Sequence, residues 1–343
     1  MSFEIYPEDF HTRYEIQHAI SIIMSIYYND IGKLILVAPI NDYNITALKV
    51  GNLLYDTDRK ATFVIENVKI DTTTTRITAN GYTANWFLNK RIIAQEYHMK
   101  NIEAGVYQLV SDNLRGLTRI QIAEATGMED TTDNVFKGGY LLDEIMPFLE
   151  EKGIGHTMEW DSDNLTHIFK LYKGRGLTEG IHAIVFSEEQ GTAKDLVIDD
   201  DDSTLCNVAY VQGTLKGADG ETFVEIVGDV TGDSRREIWF ETAVHQESDE
   251  STKDCKARAK AYGQMELGKR IRRKSFSVTI APEDLGKYYD LGDIVACVSN
   301  RFGVSFNARI TGIKYTLDNN KARTEILLGD PILTALGALK LNG

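Results

Sequence analysis

The chain has 343 residues, 43% of them hydrophobic and 26% charged, with a formal net charge of −14. That apolar share supports a sizeable core and excludes a disordered chain, and the length favours two or three domains. The acidic balance argues against loose binding to nucleic acid or anionic membrane, because phosphates reward clustered Lys and Arg.

The first nine residues lack a basic stretch followed by an apolar one, so they do not read as a signal peptide. The longest apolar run, 19–28, is broken by Ser21 and Ser25 and is too short to span a bilayer. A soluble cytosolic protein without stable membrane association is expected. Over 14–28, Ile16, His18, Ile20, Ile22, Met24 and Ile26 recur at period two. Asn29-Asp30-Ile31-Gly32 gives a turn and 33–37 returns, which predicts a long hairpin. Ile23 and Tyr27 make the opposite face apolar as well, so this strand wants cover on both sides, from its own core and from a neighbouring chain. A helical turn is predicted over 44–48 and a second hairpin over 61–70 and 76–83, around Asp71-Thr72-Thr73-Thr74-Thr75. The first ninety residues therefore read as mostly β, of the small-barrel or sandwich type.

Composition then shifts. Ile102, Val106, Leu109, Val110 and Leu114 fall at helical spacing with Gly116 as a stop. Leu141, Leu142, Ile145, Phe148 and Leu149 repeat the pattern to Gly153, and Pro147 predicts a kink or a later helix start. Segments 157–160 and 165–172 pair around Asp161-Ser162-Asp163-Asn164. Strands resume at 181–186, 195–198, 205–212, 222–227 and 237–244, with glycine-containing links at 217–220 and 228–234. A polar helix over 251–271 has a narrow stripe of Cys255, Ala259, Tyr262 and Met265; Leu267 and Ile271 fall off it, so packing at one end is expected. After 275–280 an antiparallel meander follows over 294–298, 304–315 and 321–328, closed by Ser299-Asn300, Asp318-Asn319-Asn320, and Gly329 with Pro331. A small apolar tail occupies 335–343. The fold class is α+β and predominantly antiparallel β. Expected boundaries are an N-terminal β-barrel-like domain 1–95, an inserted α+β domain 96–178, a β-rich segment 179–248 completing the barrels, and a helix plus C-terminal β-barrel-like domain 249–343.

The search for chemistry is negative. No metalloprotease, nucleophile-elbow or phosphate-loop motif is present. Gly174-Arg175-Gly176-Leu177-Thr178-Glu179-Gly180 has one spacer too many for a dinucleotide loop and reads as a flexible interdomain link. Asp161-Ser162-Asp163-Asn164 begins like a calcium loop but meets Leu165 and Tyr172 where ligands are required; Asp229 with Asp233 fails likewise. Asp199-Asp200-Asp201-Asp202 reads as a solvated loop, the other readings being a cation site or a patch facing an acidic passage. Lys269-Arg270 and Arg272-Arg273-Lys274 suit the end of a helix; with only Phe276 near, an acidic protein neighbour is preferred to nucleic acid. Cys206, Cys255 and Cys297 read as small hydrophobes in a reducing compartment. His11, His18, His98, His156, His167, His182 and His245 are scattered and read as structural. No catalytic, cofactor-binding or metal-binding residue is singled out, and no cofactor is expected.

The positions that do stand out are Tyr14-Glu15-Ile16 leading to Asn29-Asp30-Ile31-Gly32-Lys33-Leu34, then Leu48-Lys49-Val50-Gly51-Asn52, Ala79-Asn80-Gly81-Tyr82 and Asn89-Lys90-Arg91-Ile92-Ile93. With Leu291-Gly292-Asp293-Ile294-Val295, Ala308-Arg309-Ile310-Thr311 and Leu328-Gly329-Asp330-Pro331, their order resembles siphophage tail hub proteins over nearly the whole chain. That family shares its hub module with tail-associated lysins and with contractile-tail baseplate hubs. The resemblance implies two tail-tube-like β-barrel domains with small domains between them. It also implies a homotrimeric ring that adapts a sixfold tube to threefold tip components. The implied partners are the distal tail or tail tube protein, the tape measure protein, and a tip fibre, spike or lysin protein, with DNA only as passing cargo. The implied place is the virion tail of a phage or tailocin, assembled in the host cytoplasm. The chain stops after the hub module, so no lysin domain of its own is expected. The alternatives are a cell-wall or polysaccharide hydrolase with an unselected Asp/Glu pair, and a β-rich carbohydrate-binding module.

Overall fold

The computed structural model describes residues 3–329 except positions 9, 11, 17, 218, 219, 272, 319 and 320. His11, Asn319-Asn320, the stop at Asp330-Pro331 and the tail 335–343 lie outside the described residues, as do the side chains of Arg272, Arg273 and Lys274. In chain order the N-terminal part comprises β1 (Phe3–Tyr6), β2 (Tyr14–Glu15), β3 (Ser21–Tyr27), β4 (Lys33–Pro39), α1 (Asp42–Ala47), β5 (Leu53–Asp56), β6 (Ala61–Asp71), β7 (Arg76–Thr83) and α2 (Trp86–Asn89). Next come β8 (Tyr97–Asn101), α3 (Ile102–Asn113), β9 (Ile120–Ile122), β10 (Thr131–Phe136), α4 (Leu141–Glu151), β11 (Gly155–Asp161) and β12 (Thr166–Tyr172). Then follow β13 (Val185–Phe186), β14 (Lys194–Asp201), β15 (Val208–Thr214), β16 (Thr222–Val227), β17 (Glu237–His245) and α5 (Thr252–Gly268). The chain closes with β18 (Arg273–Ile280), β19 (Ile294–Ser299), β20 (Val304–Asp318) and β21 (Lys321–Leu328). With 45% strand and 18% helix, the fold is α+β and predominantly β.

Two compact units divide the chain: Met1–Val197 with Phe276–Gly343, and Ile198–Ser275. In the first, one sheet runs β18-β21-β20-β3-β4-β7-β6-β5-β1-β2, and β19 pairs with both β20 and β13. The strand-rich N- and C-terminal ends thus meet edge to edge, with Tyr27 opposite Gly312 and Ser21 opposite Asp318 along the β3–β20 pair. Among the described residues the pairings trace an open path. Alternation explains the burial. Ile22 and Met24 on β3, Leu34, Leu36 and Ala38 on β4, and Ile77 and Ala79 on β7 share the buried face. Ile23 and Tyr27 on the other side are half-buried, and Ile35 is 42% exposed. The first strand is shorter than predicted: His18, at φ 55°, splits β2 from β3 and ends the alternation.

Residues 97–172, where an α+β insert is expected, carry helices α3 and α4 and small sheets, within the first unit. Asn101 caps α3 by accepting the Ala104 N–H at 2.9 Å, and the chain turns away through Gly116 at φ 88°. Val106, Leu109 and Val110 of α3 pack with Leu141, Ile145 and Leu149 of α4 and with Phe169 of β12. Helix α4 starts at Leu141 and runs through Pro147, so the later start does not occur. Four buried side chains (Leu141, Leu142, Ile145, Leu149) hold the helix, and their burial outweighs the one hydrogen bond that proline removes. Glu103 accepts N–H groups from Thr126 (2.7 Å), Gly127 (2.9 Å) and Met128 (2.9 Å), fixing the 126–128 loop to α3. Burial opposes ionisation of that carboxyl, but these hydrogen bonds outweigh it and hold it below its usual range.

In the second unit β15 lies between β16 (antiparallel) and β17 (parallel), and α5 packs on this sheet. Ser251 caps α5 by accepting the Asp254 N–H at 3.2 Å. Its buried residues are Cys255, Ala259, Gly263 and Glu266, and Leu267 joins the same cluster, so the helix packs along its length and not at one end. Met265, placed on the predicted stripe, is 50% exposed. The missing link is Gly263: a Cβ there would sit 2.8 Å from Val227 Cγ2 and 2.9 Å from Val211 Cγ2. Gly263→Ala is therefore expected to destabilise by about 1–3 kcal/mol through overpacking, against its better helix propensity. Gly268→Ala, with nothing within 4 Å, is expected to be neutral or slightly stabilising. Thermal unfolding of both variants checks the contrast.

Two further differences stand. The strand predicted over 181–186 is only Val185–Phe186, with Ile181 94% exposed. Asp199, Asp200 and Asp201 are not loop residues but the exposed end of β14, and Asp202 pairs with Arg236 at 2.7 Å.

Candidate functional site

The residues that distinguished the sequence converge on Tyr28, which follows β3 and is fully buried. Its N–H donates to the Thr311 carbonyl (2.9 Å), and its carbonyl accepts from the His156 N–H (3.1 Å). The hydroxyl donates to the Gly153 carbonyl at 2.9 Å, lies 3.1 Å from the Tyr172 carbonyl, and accepts from the Gly174 N–H at 3.4 Å. Burial pushes the phenol pKa up, so the group stays a neutral donor. Around the ring, the Arg309 guanidinium stands 5.1 Å from its centroid and the Tyr172 ring meets it edge-on at 5.1 Å. A Cβ at Gly155 or Gly292 would overlap the ring, and Gly292 also needs φ 92°. Asn29 Nδ2 donates to the Ile154 carbonyl. One side chain thus ties the N-terminal sheet to the insert and to the C-terminal meander.

Asp293, with its side chain 3% exposed, accepts the Arg175 and Asp290 N–H groups at 2.7 and 2.9 Å. Arg175 meets it side-on through Nη2 (2.5 Å) and Nε (3.1 Å), a two-pronged charge-assisted pair. Leu177 donates to the Ile294 carbonyl and Ile294 to the Arg175 carbonyl, both at 2.8 Å. The segment 174–177, expected as a flexible link, is therefore clamped. Glycine is present because a Cβ at Gly174 would overlap the Gly292 carbonyl, not because the chain must bend freely.

A cleft of about 860 Å³ adjoins this junction. Five cations line it: Arg59, Lys60, Lys170, Lys173 and Arg175. Four are neutralised, by Asp56 (2.7 Å), Glu159 (3.0 Å), Asp130 (2.7 Å) and Asp293 (2.5 Å) in that order for Arg59, Lys170, Lys173 and Arg175. Lys60 has no ion pair among the described residues. The carboxylates lining the cleft are Glu159, Asp290 and Asp293, and two of these three are engaged by cations. Four of the five lining cations and two of the three lining carboxylates are thus held in ion pairs. Of its lining residues, Arg59 stacks its guanidinium 3.8 Å over the Tyr315 ring, and its partner Asp56 is fully buried.

The remaining sequence candidates are structural in their contacts. Asp161 accepts the Asp163 and Asn164 N–H groups at 3.0 and 3.1 Å, an ordinary hairpin turn. Asp233 lies in a short 3-10 turn, Gly232–Ser234. Lys269 and Arg270 reach back to Glu266 at 2.7 and 2.6 Å, so the first part of the basic cluster has an acidic partner at the end of its own helix. Cys255 and Cys297 are buried, Cys206 is partly so, and all three are free thiols. Among the described residues no group of three or more His, Cys, Asp or Glu side chains is arranged to hold a metal. No helix among them is long and apolar enough to cross a membrane. Sequence reasoning missed Tyr28 and the Asp56–Arg59–Tyr315 stack; residues from distant stretches meet in each, the 56–59 turn and Tyr315 in the second, and no local pattern announces that.

The model of the Siphovirus ReqiPepy6 Gp37-like protein family matches residues 2–330. The fold is similar to that of the tail protein from Neisseria meningitidis MC58, at a TM-score of 0.55 and 13% identity over 96% of each chain. It is similar also to the prophage MuSo2 43 kDa tail protein from Shewanella oneidensis (TM-score 0.53, 12% identity, 96% of this chain and 97% of that one). Prophage tail protein gp18 from Listeria monocytogenes EGD-e is similar over 100% of both chains, at a TM-score of 0.52 and 16% identity. No curated protein matches the chain.

Proposed function

The chain belongs to the Siphovirus ReqiPepy6 Gp37-like protein family, and from that premise we propose that it is a structural, non-enzymatic component of a phage or tailocin tail. Its place in this reading is the distal tip, as a hub that assembles as a homotrimer. The ring matches a sixfold tube above to threefold components below, and lines the passage for DNA. Its neighbours would be the distal tail or tube protein, the tape measure protein, and a fibre, spike or lysin. The observation that carries the reading is the end-to-end likeness of fold to three tail proteins, covering 96% or more of each chain. The ion pairs that hold most of the cleft's charged groups support an architectural role. A net charge of −14 suits a wall that repels phosphates and does not trap them.

Light scattering on the purified chain is expected to give three times the monomer mass, and labelled imaging of intact particles to put it at the tail tip. A monomer at high concentration together with its absence from purified tails would sink the proposal. Clearing of cell walls by the isolated chain would favour the hydrolase reading instead.

A further inference from the structure

Two buried histidines stand where β11 and β12 meet the N-terminal sheet. His156 on β11 is 2% exposed and His167 on β12 is 1% exposed. His167 Nε2 lies 3.1 Å from Thr62 Oγ1 on β6, and its ring is wedged between Trp160 (4.7 Å) and Phe87 (6.2 Å). His156 Nδ1 lies 3.4 Å from Asn85 Nδ2, which is a donor, while its buried Nε2 has no partner. Neither ring has the two acceptors an imidazolium requires. A cavity of about 100 Å³ runs along this joint, lined by Asp30, Arg59, Lys60, Thr62, Asn85 and His156 among others.

We propose that this joint is a proton-operated latch: closed while both rings are neutral, and released as they take up protons in mildly acidic solution. Against the burial of His156, Asp30 and the Asn29 backbone, from the β3–β4 turn, favour a proton on the ring; Arg59 and Lys60, from the β5–β6 turn, line the same cavity, Arg59 already paired with Asp56. His167 faces aromatic rings and a hydroxyl, so burial alone decides its state. Burial holds both rings at about 4, below the ordinary 6.5. The folded values lie below the unfolded one, so this contribution to closure is complete above 6.5 and is lost as pH falls towards 4. If each ring regains its ordinary value on release, the opening equilibrium rises roughly twentyfold per histidine between pH 7 and pH 5. That window lies above the range in which Glu250, held at about 2, and Glu103 give up their stabilisation.

Hydrogen exchange on the full chain tests this. Peptides from β6, β11 and β12 are expected to lose protection between pH 7 and pH 5 after correction for intrinsic rates, while those from α5 do not. In H156N/H167N the pH response of these peptides is expected to vanish. Equal protection at both pH values in the native chain, or an unchanged response in the variant, overturns the proposal. Should the double variant not fold, NMR titration of the native chain decides: imidazole midpoints below 5 support the latch, and midpoints near 6.5 overturn it.

Discussion

Tyr28→Ala is expected to lower the unfolding free energy by about 4 kcal/mol, within the range for emptying a fully buried aromatic site. The ring fills a space bounded by Gly155, Gly292, Tyr172 and Arg309, and its backbone neighbours are fixed by their own hydrogen bonds, so collapse into the void is limited. Tyr28→Phe keeps the ring but strands the Gly153 carbonyl, and a loss of about 1–3 kcal/mol is expected. Urea titration separates the two variants. Trypsin gives a local readout, since Lys173 and Arg175 flank the Gly174 N–H that the hydroxyl receives. Cleavage there should quicken in Tyr28→Ala before global unfolding sets in. A midpoint within the error of the native chain, with no change in cleavage, would refute the keystone role.

Asp56→Ala is expected to destabilise by about 3–5 kcal/mol, the range for breaking a buried ion pair. The Asp56 side chain is fully buried and that of Arg59 16% exposed, so solvent screens the pair little. Beyond the 2.7 Å contact to Arg59 Nη1, the carboxylate accepts the Asp58 and Arg59 N–H groups at 3.1 and 3.3 Å. Burial works against the Arg59 charge and Asp56 outweighs it, so removing the carboxylate leaves a cation stranded against Tyr315. The double variant Asp56→Ala/Arg59→Met is therefore expected to be more stable than Asp56→Ala alone, since it removes the stranded charge. Thermal unfolding of the four proteins in this cycle measures the coupling; simple additivity would falsify the stranded-charge account.

Much of the local structure was legible because it rests on short-range rules. The spacing of Val106, Leu109 and Val110 located α3, the Asp161 turn located the β11–β12 hairpin, and the alternation of Ile22 and Met24 located β3. What was not legible depended on distance along the chain or on an absent side chain. Gly263 carries no hydrophobic signal, yet its bareness lets α5 approach β15 and β16. His156 and His167 read as two among seven scattered histidines; only the fold sets one against Asn85 and the other against Thr62. The glycine-rich stretch after β12 suggested freedom of movement, whereas its glycine answers a steric demand from Gly292.

The pairing of Tyr27 with Gly312 joins residues separated by 285 positions, and it has a consequence for biosynthesis. At ribosomal speeds β3 would wait roughly 15–60 s before its partner strand is made. Throughout that delay a nascent chain carries an unprotected sheet border of Ser21 to Tyr27, rich in isoleucine, the kind of surface that invites clumping between neighbouring polypeptides. Chains cut short before Val304 should therefore precipitate or call on chaperones, even though most of the protein's mass is already present.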